Sequence, residues 1–404
     1  MAGNGWKLRA SRNEDGKESD KDDAAVVVDG SKLRELALAA VLCLLSFQMQ
    51  GYYTARDIAL VVIQACSRAV SINQACKDMV RCPDESTVRH HLAKLSIRSL
   101  ERSVNETLPR WAKNVLPKKI ALKIGIDLTY VPYHGEPESS ETEVKHGPAK
   151  NGTTLFHVYA SVYVILYGRR YTLALRYVRR HEPLTHVIGC LLNRLDELGV
   201  RVGCLYLDRG FYTIDVISYL KGRKTPFVMP VISRGKKGGT RALLDKKTVK
   251  KSYTTEYTMK NVAKHKEVTF LIHVVRIYLK SRYGKHGSEC YGYAIYPLGV
   301  VSLRRVFDEY RKRFGIESSY RLMNESRART SSRDPRRRLL FVAVSFILIN
   351  TWIYVKWESV SVPVRGRHGR RVIDELLPYM TVLMLVNTAI NRIYGAVTRI
   401  VLRP

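Results

Sequence analysis

Three acidic residues stand where a carboxylate could take part in chemistry. Asp127 and Asp208 each follow an apolar run that is typical of a β-strand, and open α/β sheets bind their ligands at the ends of such strands. Glu317 has Arg313 and Arg321 four residues to either side, so a helix would place its carboxylate beside two cations able to bind phosphate. Either aspartate alone could be an ordinary loop or capping residue. The occurrence of all three in one chain makes them candidate catalytic residues.

The segment around Glu317 carries a regular pattern of polar residues. Steps of three, four and seven residues separate Tyr310, Arg313, Glu317 and Asn324. At about 100° per residue, these steps keep all four on one stripe of a single helix that begins near Leu303. A stripe of this composition does not face a core. It belongs either to a solvated helix face or to a functional site.

Apolar periodicity predicts the elements that would carry these residues. Every second residue from Ile120 to Ile126 is apolar, which predicts a strand ending at Asp127, and VRVGCLYL is typical of a buried strand ending before Asp208. Between and after them the sequence predicts a polar loop, a hairpin, a helix, a second helix and a strand: 134–152, 154–180, 185–198, 213–220 and 226–232. This order predicts a mixed α/β fold, with one sheet that carries helices on its faces.

Helical segments precede the predicted sheet. Hydroxyl side chains that favour helix starts occur at Ser31, Thr54, Ser71 and Ser86, and the last of these segments extends to Glu101. A helix, a tight turn and a second helix bearing Arg89 and Lys94 are the arrangement that places a recognition helix in the major groove of DNA. The alternative is that these helices only cover the rest of the protein, with both cations on a solvated face.

The charge balance indicates a polyanionic partner. The 404-residue chain has 68 Lys and Arg against 36 Asp and Glu, a formal net charge of +32. Contacts of these cations with phosphates release counterions, so we expect salt-dependent binding to DNA or RNA, with a membrane surface as the weaker alternative. The seven cysteines include no Cys-x-x-Cys pair, which favours free thiols in a reducing cytosol over disulfides or a zinc site.

One segment raises the question of a membrane. The run Leu339–Val355 is almost wholly apolar and follows three arginines, so it has the composition of a short membrane helix. Ser345, Asn350 and Thr351 interrupt it, and a helix buried on all sides in a large core explains it as well. We favour the buried helix. The first thirty residues mix charges of both signs without an apolar stretch, which predicts a flexible tail and no signal peptide.

Together these segments resemble the DDE transposases of insertion-sequence group four. YRKRFGIESSYRLMN reproduces that family's signature, Tyr-x2-Arg-x3-Glu-x6-Lys, through Glu317, but has Asn324 where the family has lysine. IGIDLTYVPYHG and LYLDRGFYT look like the family's first and second aspartate motifs, and the Tyr- and Val-rich strand segments of residues 233–297 lie where that group carries a β insertion. The resemblance spans roughly residues 115–360 and is closest in texture to archaeal insertion-sequence enzymes.

The resemblance implies an RNase H-like fold in which Asp127, Asp208 and Glu317 hold two Mg²⁺ or Mn²⁺ ions. A water would cut the DNA at the ends of the element, and the freed 3′ hydroxyl would attack another phosphodiester. Tyr310 and Arg313 would bind phosphates near the cut. Arg321 could replace the family's lysine. The implied partners are double-stranded DNA and a second copy of the chain in a synaptic complex, in the cytoplasm with the nucleoid, with no membrane.

Two rival functions stay open, a metal-dependent nuclease that cuts without joining and a non-catalytic DNA-binding protein derived from a transposase. For the transposase, the predicted parts are a flexible tail, a helical DNA-binding domain, the first part of the catalytic domain, a β-rich insertion, the catalytic helix with the remaining core, and a C-terminal helical segment: 1–30, 31–115, 116–232, 233–297, 298–360 and 361–404.

Overall fold

A computed structural model describes most of the chain between residues 27 and 398. The described ranges are 27–112, 116–117, 120–137, 142–166, 169–235, 238–279, 287–297, 305–313, 315–363, 370–372 and 376–398. Within the helices of the predicted glutamate segment, the side chains of residues 312–313 and 315–319 lie outside the description. Most of the predicted tail, residues 1–26, also lies outside the described residues.

Short helices form the N-terminal part of the described chain: α1 Gly30–Leu42, α2 Ala55–Ser67, α3 Ile72–Lys77, α4 Glu85–Leu92 and α5 Ile97–Thr107. Two of the predicted caps are confirmed. Thr54 forms a capping box with Asp57, and the Ser71 hydroxyl accepts a hydrogen bond from the backbone N–H of Gln74 at 3.1 Å.

Two other predicted caps are wrong, because an upstream aspartate takes the position. Asp29 accepts from the N–H of Ser31 at 3.0 Å, and Asp84 accepts from the N–H of Ser86 at 2.8 Å. A carboxylate at the N-cap also interacts favourably with the helix dipole. The single helix predicted from Ser86 to Glu101 is two helices, since Ser96 caps α5.

A nine-stranded sheet forms the centre of the fold. Its strands are β1 Leu122–Tyr133, β2 Lys145–Lys150, β3 Thr153–Leu166, β4 Arg169–Val178, β5 Val202–Tyr206, β6 Phe227–Pro230, β7 Tyr253–Asn261, β8 Lys266–Leu279 and β9 Gly287–Tyr296. Their order is β2-β3-β1-β5-β6-β9-β8-β7, and β4 also pairs with β3. The pairs β1–β5 and β5–β6 are parallel and the others are antiparallel. The predicted mixed α/β class, with one sheet flanked by helices, is confirmed.

Because of pairing between distant segments, the observed strands differ from the prediction in three places. β1 does not end at Asp127 but continues to Tyr133, because β3 pairs with its whole second half. Part of the predicted polar loop forms β2 on the other edge of β3. The strands predicted for the insertion are present as β7, β8 and β9, and because β9 pairs with β6 they extend the main sheet.

The remaining helices lie between and after the strands: α6 Leu184–Glu197, α7 Ile214–Gly222, α8 Gly239–Leu243, α9 Val306–Arg313, α10 Gly315–Glu325, α11 Pro335–Val360 and α12 Tyr379–Tyr394. A small pair, β10 Ser361–Pro363 and β11 Arg370–Val372, follows α11. The helix predicted from Leu303 is present as α9 and α10, which lie on either side of residue 314, and that residue lies outside the described part of the chain.

The apolar segment Leu339–Val355 forms most of α11. By length and composition, α11 is the one described helix able to cross a membrane, with a mean hydropathy of 1.9 over its most apolar 18 residues, but 89% of that window is buried inside the protein. Its neighbours include α1, α2, α5, α10, α12 and β4. The buried-helix interpretation is therefore confirmed as a matter of packing. α12 packs against α1 and α2, so both ends of the described chain join the same hydrophobic core.

Candidate active site

The two predicted aspartates lie at the same level on neighbouring strands. In the parallel pair β1–β5, Gly125 is opposite Tyr206, and Asp127 and Asp208 each follow two residues later. The chain stays extended at Asp208, and the N–H of Leu207 still bonds to the next strand, β6. Adjacent strands are about 4.8 Å apart, and residues two positions apart share a face. Asp127 and Asp208 are therefore neighbours on one face of the sheet.

The electrostatics of Tyr130 support this placement. Burial raises the pKa of the Tyr130 phenol, and the negative charges of Asp127 and Asp208 raise it further. The charges of both carboxylates thus affect the pKa of one hydroxyl group. Asp127 Oδ1 also accepts a hydrogen bond from the N–H of Leu128 at 2.8 Å.

Helix α10 is attached to the sheet beside Asp127. Ser161 is the cross-strand partner of Asp127 in the β1–β3 pair, and its hydroxyl lies 3.1 Å from the hydroxyl of Tyr320 on α10. Burial raises the pKa of Tyr320 well above its usual value, and the charge of Asp127 adds to this effect. The α10 face that bears Tyr320 therefore packs next to the first aspartate.

Helix α9 is attached to the sheet just before Asp208. The Tyr310 hydroxyl donates a hydrogen bond to the carbonyl of Leu207 at 3.0 Å. One residue earlier, the Glu309 carboxylate accepts from the Tyr206 hydroxyl at 2.9 Å and pairs with the Lys123 ammonium at 3.0 Å. These contacts place α9 on the same face of the sheet as the two aspartates.

Glu317 lies on α10 between these two attachment points, seven residues after Tyr310 and three before Tyr320. Its side chain, like that of Arg313, lies outside the described residues. Residues three apart in a helix lie on neighbouring parts of one face, so the position of Glu317 is one turn from the tyrosine that contacts Ser161. The backbone of α10 at Glu317 therefore lies one turn from the Ser161–Tyr320 contact, and its place among the metal ligands stays a prediction.

Two clefts open on either side of the aspartate pair. A cleft of about 1480 Å³ begins at Asp208 and is lined by aromatic rings and two arginines: Tyr278, Tyr291, Tyr293, Phe307, Arg209 and Arg311. A second cleft, of about 780 Å³, begins beside Asp127 at Leu128–Tyr130 and is lined by Lys150, Tyr320, Asn324, Arg327, Arg329 and Arg338. Asp208 is the one acidic residue that lines either cleft among the described residues. The carboxylates therefore lie between an aromatic and a basic surface.

Carboxylate oxygens are the donors that Mg²⁺ and Mn²⁺ prefer, and a pair of aspartates on adjacent strands fits two of the ligands of such an ion. The described side chains include no group of three His, Cys, Asp or Glu residues able to hold a metal. The predicted third ligand, Glu317, lies outside that description. The donor chemistry of Asp127 and Asp208 thus fits the predicted metal.

The predicted DNA-binding residues fall into different environments. Tyr310 lines the cleft that begins at Asp208, although most of its ring is buried and its hydroxyl donates to the carbonyl of Leu207. Arg321 is exposed and pairs with Glu325 at 3.4 Å. On α4, Arg89 is exposed and paired with Glu85; after α4, Lys94 is exposed and 3.4 Å from a ring nitrogen of His91. Their contact with DNA stays a prediction.

Several residues near the site were not predicted from the sequence. Arg327 is a cation beside Asn324, with its Nη2 3.5 Å from the Asn324 Oδ1. Tyr320 could have been found, because it lies three residues after Glu317 on a helix. Lys123 could not, since its partner Glu309 is far away in the sequence.

No protein-family model and no curated protein matches this chain. Among solved structures, the chain is similar to a piggyBac transposase in a synaptic complex with hairpin DNA, determined by cryo-electron microscopy. The sequence identity is 12% and the TM-score is 0.49, and the match covers 92% of this chain and 83% of that one. A likeness at this level carries no argument about function, and the relationship to insertion-sequence group four stays a prediction.

Proposed function

We propose that this protein is a DNA transposase that cuts the ends of an insertion sequence and joins them to target DNA by metal-dependent phosphoryl transfer. The observation that carries the proposal is the position of Asp127 and Asp208, at one level on adjacent parallel strands and between an aromatic and a basic cleft. A carboxylate pair next to cationic surface suits a reaction at a phosphodiester, where metal ions and phosphates must be held together.

In this proposal Asp127, Asp208 and Glu317 hold Mg²⁺ or Mn²⁺. Such ions, when bound, activate the attacking oxygen and stabilise the leaving oxygen of an in-line displacement. The residues around the carboxylates fix their positions. Tyr310 holds the carbonyl that precedes Asp208, and the Ser161–Tyr320 contact holds α10 against the strand of Asp127.

The remaining parts of the proposal concern the DNA and the assembly. The excess of cations in the whole chain and along the basic cleft suits a duplex substrate. We assign the β4-β3-β1-β5-β6 part of the sheet to an RNase H-like core. Because a transposase must bring two DNA ends together, we also propose a homodimer that acts on the nucleoid.

The test is cleavage and joining of a labelled DNA that carries the inverted repeats flanking the gene, with matched substitutions as controls. Asp208→Asn and Glu317→Gln should each lower the cleavage rate by about a thousandfold or more, since each removes several kcal/mol of transition-state stabilisation. Asp215→Asn and Glu267→Gln make the same changes at ion-paired residues outside the site and should cut normally. Removal of divalent metal should abolish cleavage in the unaltered protein.

Each rival function has its own outcome in this test. Cleavage without joined products would indicate the nuclease. DNA binding without any metal-dependent cleavage would indicate the non-catalytic protein. Cleavage that survives Asp208→Asn would contradict the mechanism itself.

A further inference from the structure

The basic cleft beside Asp127 continues into a second, smaller pocket. Arg329 and Thr330 line both, so the two share a wall in the connection between α10 and α11, residues 326–334. The smaller pocket, of about 210 Å³, lies between this connection and the N-terminal helices α3 and α4. A continuous surface therefore leads from the site of the predicted chemistry to the predicted DNA-recognition helix.

The smaller pocket has the composition of an anion site. Three arginines and four hydroxyl side chains line it: Arg89, Arg329, Arg337, Ser71, Thr330, Ser331 and Ser332. Guanidinium and hydroxyl groups are the usual donors to phosphate oxygens. No acidic residue lines the pocket among the described residues.

The nearby carboxylates already have partners. Glu85 pairs with Arg89, and Asp334 pairs with Arg336 at 2.8 Å while capping α11. Burial lowers the pKa of Arg337, and Arg89 and Arg336 lower it further, although Asp334 and Glu85 raise it. An anion bound here would relieve the repulsion between these cations.

Cationic hydrogen-bond donors also line the basic cleft between the smaller pocket and the active site. From the shared wall, Arg327, Arg338 and Lys150 line the route that reaches Tyr320 and the residues following Asp127. Arg338 is 6% exposed, with its guanidinium over the ring of Tyr133, and so is a fixed part of the floor. Arg329 is exposed at the junction of the two cavities.

We propose that this surface, the phosphate path, binds successive backbone phosphates of one DNA strand from the active site to Arg89 on α4, with the α10–α11 connection at its centre. The proposal rests on the proposed function, since it gives the DNA its direction across that site. It also predicts that α4 of one subunit contacts the DNA molecule that this subunit cuts.

The experiment measures binding of a fluorescein-labelled duplex of random sequence by fluorescence anisotropy over a series of salt concentrations. Arg329→Gln should weaken binding roughly three- to tenfold near 0.1 M salt and reduce the slope of log K against log salt by about one, as expected for the loss of one phosphate contact. The matched control is Arg333→Gln, because Arg333 is an exposed arginine of the same connection that lines neither cavity. It should leave the slope within error of the unaltered protein.

Two results would overturn the phosphate path. In one, Arg329→Gln and Arg333→Gln have equal effects on binding. In the other, inorganic phosphate protects the unaltered protein against thermal unfolding in an Arg329-dependent way while duplex binding is unaffected, which would indicate a site for free phosphate. The measurement needs no catalysis, so it is separate from the proposed function. If Asp208-dependent cleavage is present without an Arg329 effect, only the path fails; if the Arg329 effect is present without cleavage, only the function fails.

Discussion

At the scale of residues, the described part of the site contains one carboxylate besides the predicted ones, that of Glu309. Glu309 is near the aspartates, but Lys123 and Tyr206 both bind its carboxylate. These two contacts hold α9 on the sheet. A carboxylate with two such partners is a poor third metal ligand, because binding a metal would break both contacts. This argument favours Glu317, which follows on the next helix.

The buried histidine His157 predicts a pH dependence of stability. Burial lowers its pKa to about 3, with a further lowering by Arg338, and its ring packs between Tyr133 and Tyr177, whose hydroxyl contacts Nδ1. The folded state keeps His157 neutral, whereas the unfolded chain protonates it below about pH 6.5. Stability from this residue is therefore full above pH 6.5 and is lost as the pH falls towards 3.

Urea unfolding at two pH values measures this effect. When the pH falls from 7.5 to 5, protonation of His157 in the unfolded chain should lower the unfolding free energy of the unaltered protein by about 2 kcal/mol. His157→Gln should be less stable at pH 7.5 but should lose about 2 kcal/mol less between the two pH values. An equal loss in both proteins would assign the acid sensitivity to other groups.

The sequence predicted individual site residues where the supporting pattern lies in the neighbouring residues. Asp127 and Asp208 follow apolar runs, and their types and positions were visible without a structure. The role of Tyr310 was not visible, because it depends on the carbonyl of Leu207, which is 103 residues away. The polar stripe that predicts a phosphate contact for Tyr310 does not reveal this second contact.

At the scale of elements, local patterns predicted helices, caps and the β3–β4 hairpin, whereas pairing between distant segments decided the rest. β2 has a polar sequence and exists because β3 offers a free edge. β9 joins β6, so the predicted insertion became part of the main sheet.

Helix α11 offers a test at this scale, because a buried amide joins it to two other elements. Asn350 donates to the carbonyls of Leu108 and Thr172 at 3.1 and 2.8 Å and accepts from the N–H of Thr172 at 3.1 Å. Asn350→Leu would leave these backbone groups without a partner, so we expect a loss of about 2–4 kcal/mol of unfolding free energy, measured by urea denaturation.

The adjacent residue is the matched control. Thr351 is also buried, but its hydroxyl has no hydrogen-bond partner among the described residues, so Thr351→Val should be neutral or slightly stabilising. In a membrane helix both changes would favour insertion. A gain of stability from Asn350→Leu would therefore contradict the burial of α11 in a protein core.

At the scale of the whole molecule, the two ends of the chain stabilise each other. Helix α12 lies against α1 and α2, and three polar contacts fix it there: Arg34 to the Ala389 carbonyl at 2.9 Å, Gln64 to Asn391 at 3.0 Å, and Tyr394 to Asp57 at 2.6 Å. The N-terminal helices also contribute to the core that contains α11. The boundary predicted after residue 115 is still a prediction, but these contacts cross it.

Deletion of residues 376–404 tests whether the N-terminal helices need this support. α12 buries four large aliphatic side chains almost completely: Val382, Leu383, Val386 and Ile390. At about 1.5–3 kcal/mol each, their loss approaches the total stability of an ordinary domain. We expect the shortened chain to lose more helical circular dichroism than α12 itself accounts for, with rapid tryptic cleavage within α1 and α2. Tyr394→Phe, which removes one hydrogen bond, should cost only about 1 kcal/mol. If α1 and α2 stay protected after the deletion, the N-terminal helices do not need α12, and their contacts with α11 are sufficient to hold them.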